Sequence, residues 1–133
     1  MSSTAKTFTA EQADRTLPLV GRIVEDIVRV HGEWREVVDE LERERAATDG
    51  NRDERVRGLE RRAVELARDM DALETELGDL GITLKDRRIG LIDFPGELDG
   101  RPVWLCWRLG EPAVRYWHEL DAGFAGRQPL PVG

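Results

Sequence analysis

The stretch Trp117-His118-Glu119-Leu120-Asp121, with Arg108-Leu109-Gly110-Glu111 ahead of it, holds the densest group of side chains able to do chemistry. His118 with Cys106, Glu111 and Asp121 offers nitrogen, sulfur and oxygen donors, a mixture that a transition metal or zinc accepts. The spacing itself is unspecific, because this region has one histidine and lacks both Cys-x-x-Cys and His-x-x-x-His. A structural use competes: a His118 ring half-buried beside Trp117 and hydrogen-bonded to a carboxylate would orient the turn.

Other groupings are open at this stage. Cys106 and His118 in contact would make a nucleophile pair if the thiol were exposed and its pKa lowered, yet a lone cysteine in an apolar strand is ordinarily a small core residue. Asp93, Glu111, Glu119 and Asp121 are candidates for an acid-base carboxylate pair, since burial among tryptophans raises one pKa and leaves another low. Asp93 stands apart because it interrupts the apolar run Leu91-Ile92-Asp93-Phe94-Pro95, where a charge needs a partner such as Arg108. Asp121-Ala122-Gly123-Phe124-Ala125-Gly126-Arg127 brings two glycines and a guanidinium to where an anion could bind. It lacks the strand before and helix after that a phosphate loop has, so it reads as a packed surface loop.

The elements that must position these groups follow from hydrophobic spacing. Thr9-Ala10-Glu11-Gln12 has capping-box spacing and starts a helix, and Pro18 predicts a break near Thr16-Leu17 after about two turns. From there Val20, Ile23, Ile27, Val30, Trp34, Val37 and Leu41 alternate three and four residues apart, a heptad seam. Val24, Val28, His31 and Val38 widen its apolar face beyond what one partner helix needs, and His31 there reads as a satisfied buried or interface histidine. Thr48-Asp49-Gly50-Asn51 is turn chemistry. A second seam, Val56, Leu59, Ala63, Leu66, Met70, Leu73, Leu77 and Leu80, ends at Gly81, where a left-handed cap is expected. Two matched helices of about 25 residues make an antiparallel hairpin roughly 35–40 Å long.

Beyond Gly81 the spacing changes to short apolar runs separated by Gly, Pro and Asp. Strands are expected at Ile82–Lys85, Gly90–Phe94 and Val103–Leu109, with Gly96–Gly100 as a connection, Ala113–His118 as a fourth strand or extended segment, and an irregular tail from Gly123. Alternation puts Val103, Leu105, Trp107 and Leu109 on a core face and Trp104, Cys106 and Arg108 on the other. The last 52 residues hold three of the four tryptophans, the only tyrosine and the only cysteine, so chemistry is expected there rather than on the hairpin.

Composition narrows the partners. The formal net charge is −7, and all of the excess lies in residues 1–81, which carry 13 Lys/Arg against 20 Asp/Glu. Phosphate backbones and anionic membranes repel such a surface, so neither nucleic acid nor membrane is expected as a partner. A single cysteine fits a reducing compartment, and Met1–Lys6 precedes no hydrophobic stretch, so the chain reads as cytoplasmic.

Gly90-Leu91-Ile92-Asp93-Phe94-Pro95, Leu105-Cys106-Trp107-Arg108-Leu109-Gly110-Glu111 and Trp117-His118-Glu119-Leu120-Asp121-Ala122-Gly123-Phe124-Ala125-Gly126-Arg127-Gln128-Pro129, with Thr7-Phe8-Thr9-x-Glu11-x-Ala13 at the start, resemble a prokaryotic family of small uncharacterised proteins, a domain of unknown function. The resemblance spans nearly the whole chain, implies one domain over 1–133, and carries no catalytic assignments.

The expected architecture is α+β. A short N-terminal helix and a long helical hairpin (9–81) support a small antiparallel sheet (82–133) packed at the hairpin's base. The surplus apolar face of the first long helix receives that sheet or mediates dimerisation. The leading functional expectation is a non-enzymatic interaction or scaffold module, a homo-oligomer or partner complex assembled through the hairpin. The alternative is a metal-binding protein or small metal-dependent enzyme centred on Cys106, Glu111, His118 and Asp121.

Overall fold

Thr9 opens the first helix by a reciprocal cap: its hydroxyl accepts from the Gln12 backbone N–H at 3.0 Å while its own N–H donates to the Gln12 side chain at 2.9 Å. In the computed structural model, which describes residues 7–131, this helix, α1 (Ala10–Arg45), runs unbroken through Pro18. The expected short leading helix is therefore the first two turns of α1. A proline inside a helix costs about 3 kcal/mol, but full burial of one large apolar side chain is worth roughly 1.5–3 kcal/mol. Phe8, Ala13 and Val20 are buried on both sides of Pro18, and Leu17 packs against the same core. Breaking the helix would detach that set, so packing outweighs the missing hydrogen bond.

Asn51 donates its backbone N–H to the Asp49 carboxylate at 3.1 Å in the turn, and α2 (Arg52–Asp79) returns antiparallel along α1. Gly81, with φ +84°, ends α2 as expected: the Ile82 N–H reaches the Leu77 carbonyl and the Gly81 N–H the Gly78 carbonyl, both in the last turn. The distal half of the hairpin has its own apolar cluster of Val30, Leu66 and Met70, flanked by Trp34, Val37 and Leu73. Around it the surface is laced by exposed ion pairs such as Arg45–Glu60 and Arg62–Glu33. His31 is half-buried, its ring 6.0 Å from that of Trp34.

Five strands, β1 (Thr83–Asp86), β2 (Leu91–Leu98), β3 (Arg101–Arg108), β4 (Tyr116–His118) and β5 (Gln128–Pro129), form an antiparallel sheet in sequence order. The Gly96–Gly100 connection is narrower than its composition suggests. Both β2 and β3 continue to a two-residue turn at Asp99-Gly100, where both residues have positive φ (52° and 80°), the twist a tight hairpin needs. Pro95 is tolerated within β2 because β1 pairs only as far as Asp93, so the proline nitrogen faces no ladder partner; its carbonyl accepts from Phe8 N–H at 2.7 Å. The tail is less irregular than expected, since Gln128–Pro129 pairs with β4.

The sheet lays one face on α1. Ile92, Phe94, Val103, Leu105, Trp107 and Trp117 join Val20, Ile23, Val24 and Ile27 in the main core. The surplus apolar face of α1 thus receives the sheet. Among the described residues no helix is long and apolar enough to cross a membrane. Expectations for Met1–Lys6 fall outside the described residues.

Candidate metal centre

Strand alternation that sends the hydrophobic side chains toward α1 sends their neighbours to the opposite face. On β2 that neighbour is Asp93, on β3 Cys106 and on β4 His118. Asp93 lies directly across from Cys106, while Cys106 faces Tyr116 and Trp104 faces His118 on the other side. Three adjacent strands therefore each contribute one donor to one spot. The carboxylate, thiol and imidazole donor atoms all lie within 4.8 Å of one another, and all three residues are buried. Asp93 is 1% exposed, Cys106 0% and His118 2%, and Asp93 and His118 are the buried polar residues of the described chain.

The hydrogen bonds fix how His118 presents itself. Its Nδ1 is 2.8 Å from the Glu119 carbonyl oxygen, which can only accept, so Nδ1 carries the proton. Nε2 then faces Asp93 Oδ2 at 3.0 Å, with either one shared proton or a cation between them. The other carboxylate oxygen, Asp93 Oδ1, has no hydrogen-bond partner among the described residues. A buried polar oxygen left so costs on the order of 1–3 kcal/mol, more if it is charged. Burial pushes the Asp93 carboxyl above its ordinary range, against the opposing pull of His118, Lys85 and the Cys106 thiol. Burial likewise pushes the Cys106 thiol up to about 11, although the Arg127 guanidinium acts the other way.

Burial holds the Cys106 thiol in its protonated form, and His118 Nε2 faces Asp93, so the arrangement is not that of a thiol activated by a neighbouring imidazole. The donor set has features a metal ligand group needs: a second ring nitrogen tied to a carbonyl, and a carboxylate oxygen without a hydrogen-bond partner among the described residues.

The surroundings hold the donors in place. Glu119, whose carbonyl orients His118, has its own carboxylate clamped by Arg101 at 2.6 and 2.8 Å, and Arg101 lies over the Trp117 ring at 5.3 Å. Glu111 accepts from the Arg108 backbone N–H at 2.8 Å and takes both terminal nitrogens of Arg127, at 3.2 and 2.5 Å. Arg127 lies over the Tyr116 and Phe124 rings, 3.8 and 4.5 Å from their centroids, and one of its nitrogens is 3.9 Å from Cys106 Sγ.

Of the four residues expected to bind metal, Cys106 and His118 meet, while Glu111 and Asp121 do not join them. Glu111 follows Gly110, whose φ of +102° turns the chain so that the carboxylate meets Arg127 instead. Asp121 lies past the end of β4, in a turn closed by the Ala122 N–H on the Glu119 carbonyl, and is exposed. The third donor is Asp93, whose partner is His118 rather than Arg108. Part of the signal for it lies in the sequence, a carboxylate within an apolar strand; that it faces Cys106 follows from the strand register. The structural expectation for His118 also describes its geometry, except that the ring is fully buried. The anion loop has its arginine neutralised by Glu111.

No curated protein and no solved structure matches the chain significantly. Residues 6–130 match the family model described as Uncharacterized conserved protein (DUF2203), and the chain belongs to that family.

Proposed function

We propose that the protein binds one divalent metal ion of the zinc and transition-metal class through the Asp93 carboxylate, Cys106 Sγ and His118 Nε2. The observation that carries this reading is the convergence of three chemically different, fully buried donors from three adjacent strands, one with an oxygen that has no hydrogen-bond partner among the described residues. A thiolate, a carboxylate and a neutral imidazole carry two negative charges, which a divalent cation balances in a site where an uncompensated charge would be expensive. The mixture of one soft, one borderline and one hard donor suits zinc, cobalt or iron and does not suit magnesium or calcium, which take oxygen. A reducing compartment, here the cytoplasm, keeps the thiol available.

Assembly through the hairpin is less supported, because the surplus apolar face that suggested it is taken by the sheet, and the distal arm turns mainly ion-paired side chains to solvent. The acidic excess of the arm still argues against nucleic-acid and membrane partners.

Elemental analysis of untagged protein, purified natively and after loading with zinc, tests the proposal. It predicts about one metal per chain, lost in Asp93→Ala and His118→Ala but retained in Asp121→Asn. Wild-type protein without metal after loading, or His118→Ala retaining it while folded, would overturn the reading.

A further inference from the structure

We infer that Arg127 is a positioning residue of this centre: it donates a hydrogen bond to the Cys106 sulfur, and Glu111 with the Tyr116 and Phe124 rings exists to aim it. The inference rests on the metal-binding reading and adds the group that governs how the sulfur donates to the metal.

The geometry is built rather than incidental. A surface arginine is ordinarily free to sample many rotamers, and fixing one costs up to roughly 2 kcal/mol of side-chain entropy. Arg127 is fixed four ways: Glu111 takes both terminal nitrogens, Tyr116 and Phe124 pack against its plane, and its side chain is only 17% exposed. Glu111 is itself held, its Oε1 accepting from the Arg108 backbone at the end of β3. The result is a guanidinium whose position is set from the same strand that carries Cys106, with the nitrogen shared by Glu111 Oε1 also directed at Sγ at 3.9 Å. Tyr116, the platform under it, is the cross-strand partner of Cys106. Carboxylate, guanidinium, ring and sulfur therefore form one connected unit over the centre.

A hydrogen bond to a metal-bound thiolate draws electron density from sulfur, which lowers the energy of its lone pairs and raises that of sulfur-to-metal charge transfer. Its effect on affinity comes from holding the sulfur in place: outer-shell partners that fix a ligand's position contribute about 10–100-fold to metal affinity in characterised sites. This role also explains why Glu111 is a poor ligand despite its nearness: its carboxylate is spent on orienting Arg127.

Cobalt(II) substitution reads both effects, using the near-ultraviolet sulfur-to-cobalt band and competition with a chromophoric chelator. Arg127→Gln should move the band to longer wavelength and weaken cobalt binding by at least about tenfold. Arg127→Lys should recover part of each change, and Glu111→Gln, which leaves the arginine but loosens its aim, should give smaller shifts in the same direction. Far-ultraviolet circular dichroism of each metal-free variant confirms that it is folded. A folded Arg127→Gln protein whose band stays at the wild-type position overturns the inference whether or not its affinity falls, since packing alone would then account for the arginine. Wild-type protein that binds no cobalt overturns the metal reading itself, which is a different result from an unmoved band.

Discussion

Asp93 concentrates the energetic conflict of this molecule. Its carboxyl is buried, one oxygen meets His118, the other has no hydrogen-bond partner among the described residues, and its pKa lies above the ordinary 3.8 because burial opposes ionisation. A carboxyl whose folded pKa is raised makes the folded state bind more protons than the unfolded chain. Its stabilising contribution is complete below about 3.8 and is lost as pH rises through the folded value. Metal-free wild-type protein should therefore lose stability on going from pH 4 upward relative to Asp93→Asn, which keeps the shape without the titration. Urea unfolding of both proteins across that range checks the sign; parallel pH profiles would contradict it. A metal at the same spot reverses the preference, since it needs the carboxylate.

At the scale of elements, the site depends on β2 staying in register and close to α1. Gly90 secures the entry to β2: its φ is +70°, and a Cβ there would come within 2.8 Å of both Val24 Cγ1 and Leu109 Cβ. Gly90→Ala combines left-handed strain with overpacking and should cost about 2–4 kcal/mol. Gly100, with φ +80° but open space around it, should cost only about 1–2 kcal/mol on the same change. Chemical denaturation of the two variants separates close packing from backbone strain; equal losses would show that the approach to α1 is not tight. The same elements show what the sequence revealed. The two heptad seams, the cap at Gly81 and the alternation along β3 were legible because each is a local pattern. The continuity of α1 through Pro18 was not, because it depends on contacts with a sheet more than sixty residues away in the chain. Nor was the end of the β2–β3 hairpin, because Pro95 and Gly96 carry the composition of a loop while standing in a strand whose neighbour has already ended.

The whole molecule joins an ion-paired helical arm to a sheet whose inner face is core and whose outer face carries the donor cluster. Cys106 and His118 could be picked out from sequence by chemical type, but their meeting with Asp93 depends on the register of three strands, and the removal of Glu111 depends on a partner, Arg127, sixteen residues away. If these three donors hold one metal, zinc K-edge X-ray absorption of the loaded protein should show one sulfur scatterer at about 2.3 Å and nitrogen or oxygen scatterers at about 2.0–2.2 Å, with imidazole features lost in His118→Ala. A spectrum with oxygen scatterers alone, or one unchanged in Cys106→Ser, would contradict that assignment.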